Sequence, residues 1–296
     1  MNSDATPEAG AVTASPGASG LIDQPGKARR FLELHHGEGP LLLPNPWDQG
    51  SARLLAWLGF QALATTSSGH AATLGRLDGS VTRSEALDHA ATIVAATELP
   101  VSADLENGFA DDPGGVAETV RQAVAAGLAG CSVEDATGDQ DRPIYDAGLA
   151  AERVQAAAEA AHRGPVQLVL TARAENYLYG RPDLADTIAR LQAYQAAGAD
   201  VLYAPGVSDL GEIRRLVASV DWPVNVLARP GVPPVAELAD AGVRRVSVGG
   251  AFAFAVLGAL VEAATELRTA GTYGFWRQAR VGSDAARSAF GGSQEP

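Results

Sequence analysis

Two short stretches of this 296-residue sequence close on paired acids, Ser102-Ala103-Asp104-Leu105-Glu106 and Cys131-Ser132-Val133-Glu134-Asp135. Successive side chains alternate faces in extended backbone, so Asp104 and Glu106 point to one side. Glu134 closes the second stretch at a comparable level. Carboxylates converging on one place repel unless a cation sits among them, and oxygen-only ligands suit Mg²⁺ or Mn²⁺. Asp104, Glu106 and Glu134 are therefore candidate metal ligands. Their alternative employment is as helix N-caps or as partners of nearby arginines.

A cation ends a third apolar run, Thr171-Ala172-Arg173. Arg173 can hold a substrate carboxylate through two parallel hydrogen bonds, or it can neutralise Glu134 or Glu175. The stretch Thr65-Thr66-Ser67-Ser68-Gly69-His70 supplies hydroxyls and backbone N–H groups able to cradle a second anionic group. Asp78, just before Gly79, is a candidate outer metal partner or a plain turn aspartate. His70 is a candidate acid or base, although a single histidine is more often structural. Asn225 and Arg229 are candidate substrate contacts, whereas Cys131, inside an apolar run, reads as packing.

These residues need a scaffold that brings the ends of several strands together. From residue 27 onward the chain repeats a short apolar run, a polar turn and a long Ala/Leu-rich amphipathic stretch. Strands are expected at 41–44, 62–66, 101–105, 130–133, 167–172, 200–203, 224–227 and 245–248. Helices are expected at 27–36, 50–58, 84–97, 115–126, 149–162, 183–197, 209–220, 234–241 and 253–269, several followed by a stop glycine such as Gly127, Gly198 or Gly242. Strict strand–helix alternation implies parallel pairing, and eight units fit an α/β protein of the (β/α)8 TIM-type barrel class. The alternative, an open doubly wound sheet, would carry a Gly-rich turn after its first strand. Pro44-Asn45-Pro46-Trp47-Asp48 stands there instead. Residues 1–26 read as a disordered tail, 27–272 as the barrel, and 273–296 as a helical extension packing on the barrel or on a neighbouring subunit.

Composition removes whole classes of chemistry. The formal charge of −13 and the absence of a basic cluster argue against a nucleic-acid partner. A single Cys excludes an intramolecular disulfide and a multi-Cys metal site. Lys27 is the only lysine, and it lies near the N-terminus. Schiff-base and pyridoxal chemistry need an active-site lysine, so an enolate here must be stabilised by a metal or by hydrogen-bond donors. No apolar run is long enough to span a bilayer and no signal peptide is evident, so a soluble cytoplasmic protein is expected.

Leu43-Pro44-Asn45-Pro46-Trp47-Asp48, Thr66-Ser67-Ser68-Gly69, Leu74-Gly75-Arg76-Leu77-Asp78, Ser102 to Phe109, Val133-Glu134-Asp135 and Thr171-Ala172-Arg173 together resemble the isocitrate lyase/phosphoenolpyruvate mutase superfamily. The similarity runs from about residue 42 to 257. The resemblance implies a Mg²⁺-bearing barrel, commonly a tetramer whose last helix swaps between neighbouring subunits. It implies Asp104 as the direct metal ligand, with Glu106, Glu134 and Asp78 reaching the ion directly or through water. It also implies that Ser67, Ser68 and Gly69 hold the 2-oxo-acid end of the ligand and that Arg173 binds a carboxylate or phosphonate.

One departure stands out. Lyases of this family carry a Lys-Lys/Arg-Cys-Gly-His loop shortly after the fourth strand, and the mutase keeps a lysine there. Here residues 135–146 contain no Cys, Lys or His. Tyr145, Arg142, His70 or an acid at 139–141 is left to move the proton. The expected activity is a metal-dependent carbon–carbon lyase or decarboxylase acting on a small 2-oxo or 2-hydroxy acid through a stabilised enolate. Phosphonopyruvate hydrolase or mutase-like phosphonate chemistry, and a non-catalytic 2-oxo-acid binder, are the alternatives. Partners are expected to be the small carboxylate or phosphonate and further copies of the chain, as dimer or tetramer, with no membrane.

Overall fold

The computed structural model describes residues 23–291. The expectation of a disordered segment therefore falls largely on residues outside those described. The first helix, α1 (Gln24–Leu34), begins earlier than expected. Asp23 caps it by accepting from the Gly26 N–H, and Pro25 sits in its first turn, where a missing N–H costs nothing.

Eight strands follow: β1 (Leu41–Leu43), β2 (Leu63–Ala64), β3 (Val101–Asp104), β4 (Gly130–Glu134), β5 (Val169–Arg173), β6 (Val201–Tyr203), β7 (Val224–Leu227) and β8 (Arg245–Ser247). All are paired in parallel, in the order β1-β8-β7-β6-β5-β4-β3-β2. The remaining seam, between β1 and β2, carries the backbone bond Ala64 N–H to Pro44 O at 3.1 Å. Asn45 fastens it. Its amide NH2 donates to Thr65 O at 3.0 Å, and its carbonyl oxygen accepts from Val248 N and Gly249 N at 3.0 and 2.9 Å. The expected (β/α)8 barrel is thus formed, nearly closed.

The intervening helices are α2 (Gln49–Trp57), α3 (Ser67–Thr73), α4 (Arg83–Ala96), α5 (Pro113–Ala125), α6 (Ala147–Ala161), α7 (Leu184–Ala196), α8 (Leu210–Ala218) and α9 (Val235–Asp240). Two more, α10 (Ala251–Ala270) and α11 (Trp276–Phe290), end the described chain. Aspartates or threonines cap most of them, among them Asp48, Thr82, Asp112, Asp146, Asp183 and Asp209. No helix is expected over α3. Thr66 caps it there, its hydroxyl accepting from Gly69 N.

The core lies between the strands and the helix ring, as the wholly buried Leu168, Leu170 and Leu202 show. Beneath the barrel, α1 crosses the N-terminal strand ends. Phe31 packs where a side chain at Gly130 would collide with it, 2.6 Å from Phe31 Cε1. Above the barrel α10 behaves differently: only Ala253 is buried, and Leu260 and Val261 are 62 % and 64 % exposed. The extension is helical as expected, and α11 lies against α2, with the Phe290 ring beside Gly50. No helix among the described residues is long and apolar enough to cross a membrane.

Inside the barrel, strand register lays down a polar line. Glu134 pairs with Arg173, Arg173 with Tyr203, Tyr203 with Asn225, and Asn225 with Arg245. Paired residues in adjacent strands share a face, and strands tilted by about 36° turn a line of pairs into a descending spiral. Arg245, the first residue of β8, is its lower end.

Candidate active site

At the C-terminal strand ends a cavity of about 200 Å³ opens, with residues of all eight strands in its wall. That is small beside the ~300–1,000 Å³ of pockets that take drug-sized ligands. Ser67, Ser68, Asp78, Asp104, Arg173 and Asn225 all line it. Six residues chosen for their chemistry thus share one space.

Arg173 is the hub. Its Nη1 lies 2.9 Å from Asp104 Oδ1, its Nη2 2.9 Å from Glu134 Oε2, and its Nε 2.8 Å from Glu175 Oε1. One guanidinium therefore serves three acids, held within reach by β3, β4 and β5. Burial alone would depress its pKa, but Glu134, Glu175 and Asp104 outweigh it and hold the value above the ordinary one. Burial pushes Glu134 and Glu175 up, with Arg173 opposing. In this arrangement Arg173 has the acids as partners, the second of the two roles its position allowed.

Glu106 and Asp78 stand outside that ion-pair cluster. Burial, then the charges of Asp104 and Asp78, push Glu106 up to about 7. The protein around Asp78 raises its pKa, as does Asp104, against hydrogen bonds from Ser67 and the Gly79 backbone. Asp104 also accepts from Ser67 N at 3.2 Å and Glu106 N at 3.3 Å. Among the described residues, no three His, Cys, Asp or Glu side chains already stand close enough to share an ion. The donor chemistry nonetheless fits a hard divalent cation: every donor is a carboxylate oxygen, and the charge of Asp104 adds to the burial that raises Asp78 and Glu106.

Glu106 is aimed by a bent loop. Glu106 and Phe109 both take left-handed backbone, φ 48° and 53°, a costly conformation for residues with a Cβ. Arg153, 1 % exposed on α6, donates to the carbonyls of Asn107, Ala110 and Asp111 and so clamps that loop. Its guanidinium lies 4.0 Å from the Tyr145 ring centroid, and the Tyr145 hydroxyl donates to Asp111.

Tyr145 is therefore placed in the support of the loop rather than at the cavity, and burial with the Asp111 bond pushes its pKa up to about 12. His70 also lies off the cavity. Its ring stacks on His89 at 3.8 Å, neither nitrogen has a partner, and burial lowers its pKa. Gly69 is buried beneath the cavity, where a Cβ would come 2.5 Å from Thr66 Cγ2 and 3.2 Å from Trp47 Cβ. Arg142 lies in an exposed hairpin closed by the Ala136–Ile144 bridge, 3.7 Å from Asp139. Arg229 is exposed, and Cys131 is wholly buried, its thiol pushed up to about 12. The sequence reading passed over Asn45, Ser132, Tyr203, Arg245 and Ser247, all in the cavity wall. Of these five only Arg245 carries a charge, and it stands at the start of its strand.

Comparison with known proteins supplies the last observation. A family model described as phosphoenolpyruvate phosphomutase matches residues 31–268. A crystal structure from Burkholderia cenocepacia J2315, described only as that of a presumptive lyase/mutase, superposes with a TM-score of 0.86 at 55 % identity, covering 89 % of this chain and 95 % of that one. Oxaloacetate decarboxylase of Chromohalobacter salexigens is 30 % identical over 75 % of this chain and 78 % of its own. The structure of an oxaloacetate acetylhydrolase with its product oxalate gives a TM-score of 0.77 at 26 % identity over 92 % and 98 % of the two chains.

Proposed function

The chain belongs to the isocitrate lyase/phosphoenolpyruvate mutase superfamily, and from that premise we propose that it is a Mg²⁺- or Mn²⁺-dependent lyase or decarboxylase of a small 2-oxo or 2-hydroxy carboxylic acid. The observation that carries this reading is the set of oxygen donors around Asp104, with Asp78 and Glu106 pushed up by burial and then by its charge, and with Asp78 and Asp104 in the wall of a cavity sized for a small acid. Asp104, Glu106, Glu134 and Asp78 would hold the ion, which when bound offsets the negative charge developing on the substrate's 2-oxo oxygen.

The chain's own groups do the rest. Ser67 and Ser68 orient the 2-oxo-acid end, and Gly250 makes room for them, since a Cβ there would stand 2.5 Å from Ser68 Oγ. Arg173 keeps Asp104 and Glu134 in position and Asn225 contacts the substrate from β7. Decarboxylation is favoured within this class. Carbon dioxide leaves without taking a proton, and the enolate left behind can draw its own from water, so the step does not depend on a Cys, Lys or His, none of which stands in the cavity wall. The relative named oxaloacetate decarboxylase points the same way. The large exposed apolar side chains of α10 support a homo-oligomer, dimer or tetramer, in which a second copy covers them.

The test is turnover of oxaloacetate, 2-methylisocitrate and phosphonopyruvate with and without Mg²⁺. Metal-dependent carbon dioxide or 2-oxo-acid release, lost at least ~10²-fold in Asp104→Asn, is the expected result. The Asp104→Asn control also removes the metal's own solution reaction from the account. Phosphate release from phosphonopyruvate would replace this reading with phosphonate chemistry. Metal-dependent binding with no turnover of any compound would make the chain a binder.

A further inference from the structure

The lower end of the polar spiral holds a charge that the chemistry above does not use. Arg245 is 4 % exposed and lines the same cavity as Asp104 and Arg173. Its Nη1 donates to Thr171 Oγ1 at 3.0 Å and to His35 Nε2 at 3.3 Å. Both acceptors are neutral, because burial and Arg245 itself depress His35 to about 3. Arg245 Nε is buried with no partner. The chargeable groups acting on it are the Tyr203 hydroxyl and Arg173, a second cation. Burial lowers its pKa only to about 10, so the guanidinium stays charged at neutral pH.

Two guanidiniums thus face one cavity on unequal terms. Arg173 answers three carboxylates, whereas Arg245 answers none. A buried charge without a counter-charge is destabilising wherever it occurs. Beside it, Asn225 is 1 % exposed, with Nδ2 donating to Ser247 Oγ at 2.9 Å and Oδ1 unpartnered. A hydroxyl both donates and accepts, so Ser247 serves either amide orientation. Asn225 can therefore turn its NH2 toward an anion without losing that bond.

We propose that Arg245, with Asn225, forms a second anion subsite on the cavity floor, which takes a carboxylate at the far end of the substrate. This rests on the reading of the cavity as a 2-oxo- or 2-hydroxy-acid site, and it narrows the ligand to a diacid. Depth agrees. Arg245 bonds Thr171, two residues below Arg173 on β5, a drop of about 7 Å. A chain of about four or five carbons, at ~1.5 Å per bond, spans that distance with its carboxylate oxygens. A bidentate carboxylate would meet the free Nε and neutralise the charge.

Isothermal titration of the full chain with Mg²⁺ decides the matter, using pairs that differ only in the far group. Malate is set against 2-hydroxybutanoate, and 2-oxoglutarate against 2-oxopentanoate. Wild type is expected to bind the diacid of at least one pair about tenfold or more tightly. In Arg245→Met that preference collapses while monoacid affinity holds. Ligand-free Arg245→Met is also expected to melt no lower than wild type, since the substitution removes an unpaired buried charge. Should that variant not fold, wild type still answers: sulfate, competing for the floor, weakens the diacid and spares the monoacid. Equal affinity within both pairs, a preference that survives Arg245→Met, or sulfate acting alike on both acids overturns the subsite. If monoacids bind and diacids gain nothing, the subsite alone fails. If no acid of either pair binds, the acid-site reading fails with it.

Discussion

Arg173 holds together what would otherwise fly apart. Asp104, Glu134 and Glu175 come from different segments, and their common restraint is one guanidinium with three ion pairs of 2.8 to 2.9 Å. Replacing it by Met leaves buried acids without a counter-charge, a change that typically costs about 3–5 kcal/mol. Urea unfolding of Arg173→Met is expected to show a loss of that order, and a loss below about 1 kcal/mol would mean that the acids find other partners. Sequence reading selected Arg173 because a charge closing an apolar run has to point somewhere useful. It missed Arg245 because a charge at the first position of a strand looks like an exposed end. Only the tilt of the barrel, which carries Arg245 under Asn225 and Tyr203, turns it inward. Tyr145 shows the reverse: its loop is close in sequence, but its hydroxyl donates to Asp111.

Among the elements, α1 and α4 each carry a histidine kept neutral by burial. His35, at the C-terminal cap of α1, is depressed to about 3, with Nδ1 bonded to Phe31 O at 2.7 Å. His89 on α4 is depressed to about 4 by burial and then His70, and its Nε2 meets Trp47 O at 3.0 Å. Both native values lie below the ordinary 6.5, so the unfolded chain binds protons that the folded one refuses. Their contribution to stability is complete above pH 6.5 and is lost as the pH falls toward 4, with a slope of about 1.4 kcal/mol per pH unit per proton. A His35→Gln/His89→Asn double variant, compared with wild type by urea unfolding at each pH, is expected to show a shallower acid loss. Parallel curves would exclude both histidines. Strands such as Val169–Arg173 were legible because burial on both faces leaves them almost wholly apolar. The short α3, with its Ser-Ser-Gly start, had no such pattern, and its helix depends on the Thr66 cap and on packing beneath Trp47.

As a whole the molecule presents one face unlike the rest. Along α10, Phe252, Phe254, Val256, Leu257, Leu260 and Val261 are all exposed, a patch of the kind that soluble chains rarely leave to water. Leu260→Glu is expected to shift the particle mass seen by light scattering to a smaller assembly. A wild-type chain already monomeric at micromolar concentration would leave that face without the proposed partner. The order of elements is readable across the whole molecule because α/β alternation is local, whereas the exposed face is not: residues 253–269 read as one more barrel helix, and α10 shows its apolar side chains only where the barrel leaves them uncovered. The seam between β1 and β2 has a different consequence. Position 45 must offer one hydrogen to Thr65 and two lone pairs to Val248 and Gly249, all on a side chain short enough to stay in plane with the strand ends. Asp lacks the hydrogen, Ser lacks the reach, and Gln overshoots by a methylene. Of the twenty letters available to the genetic alphabet, that place in the ring can be spelled with only one.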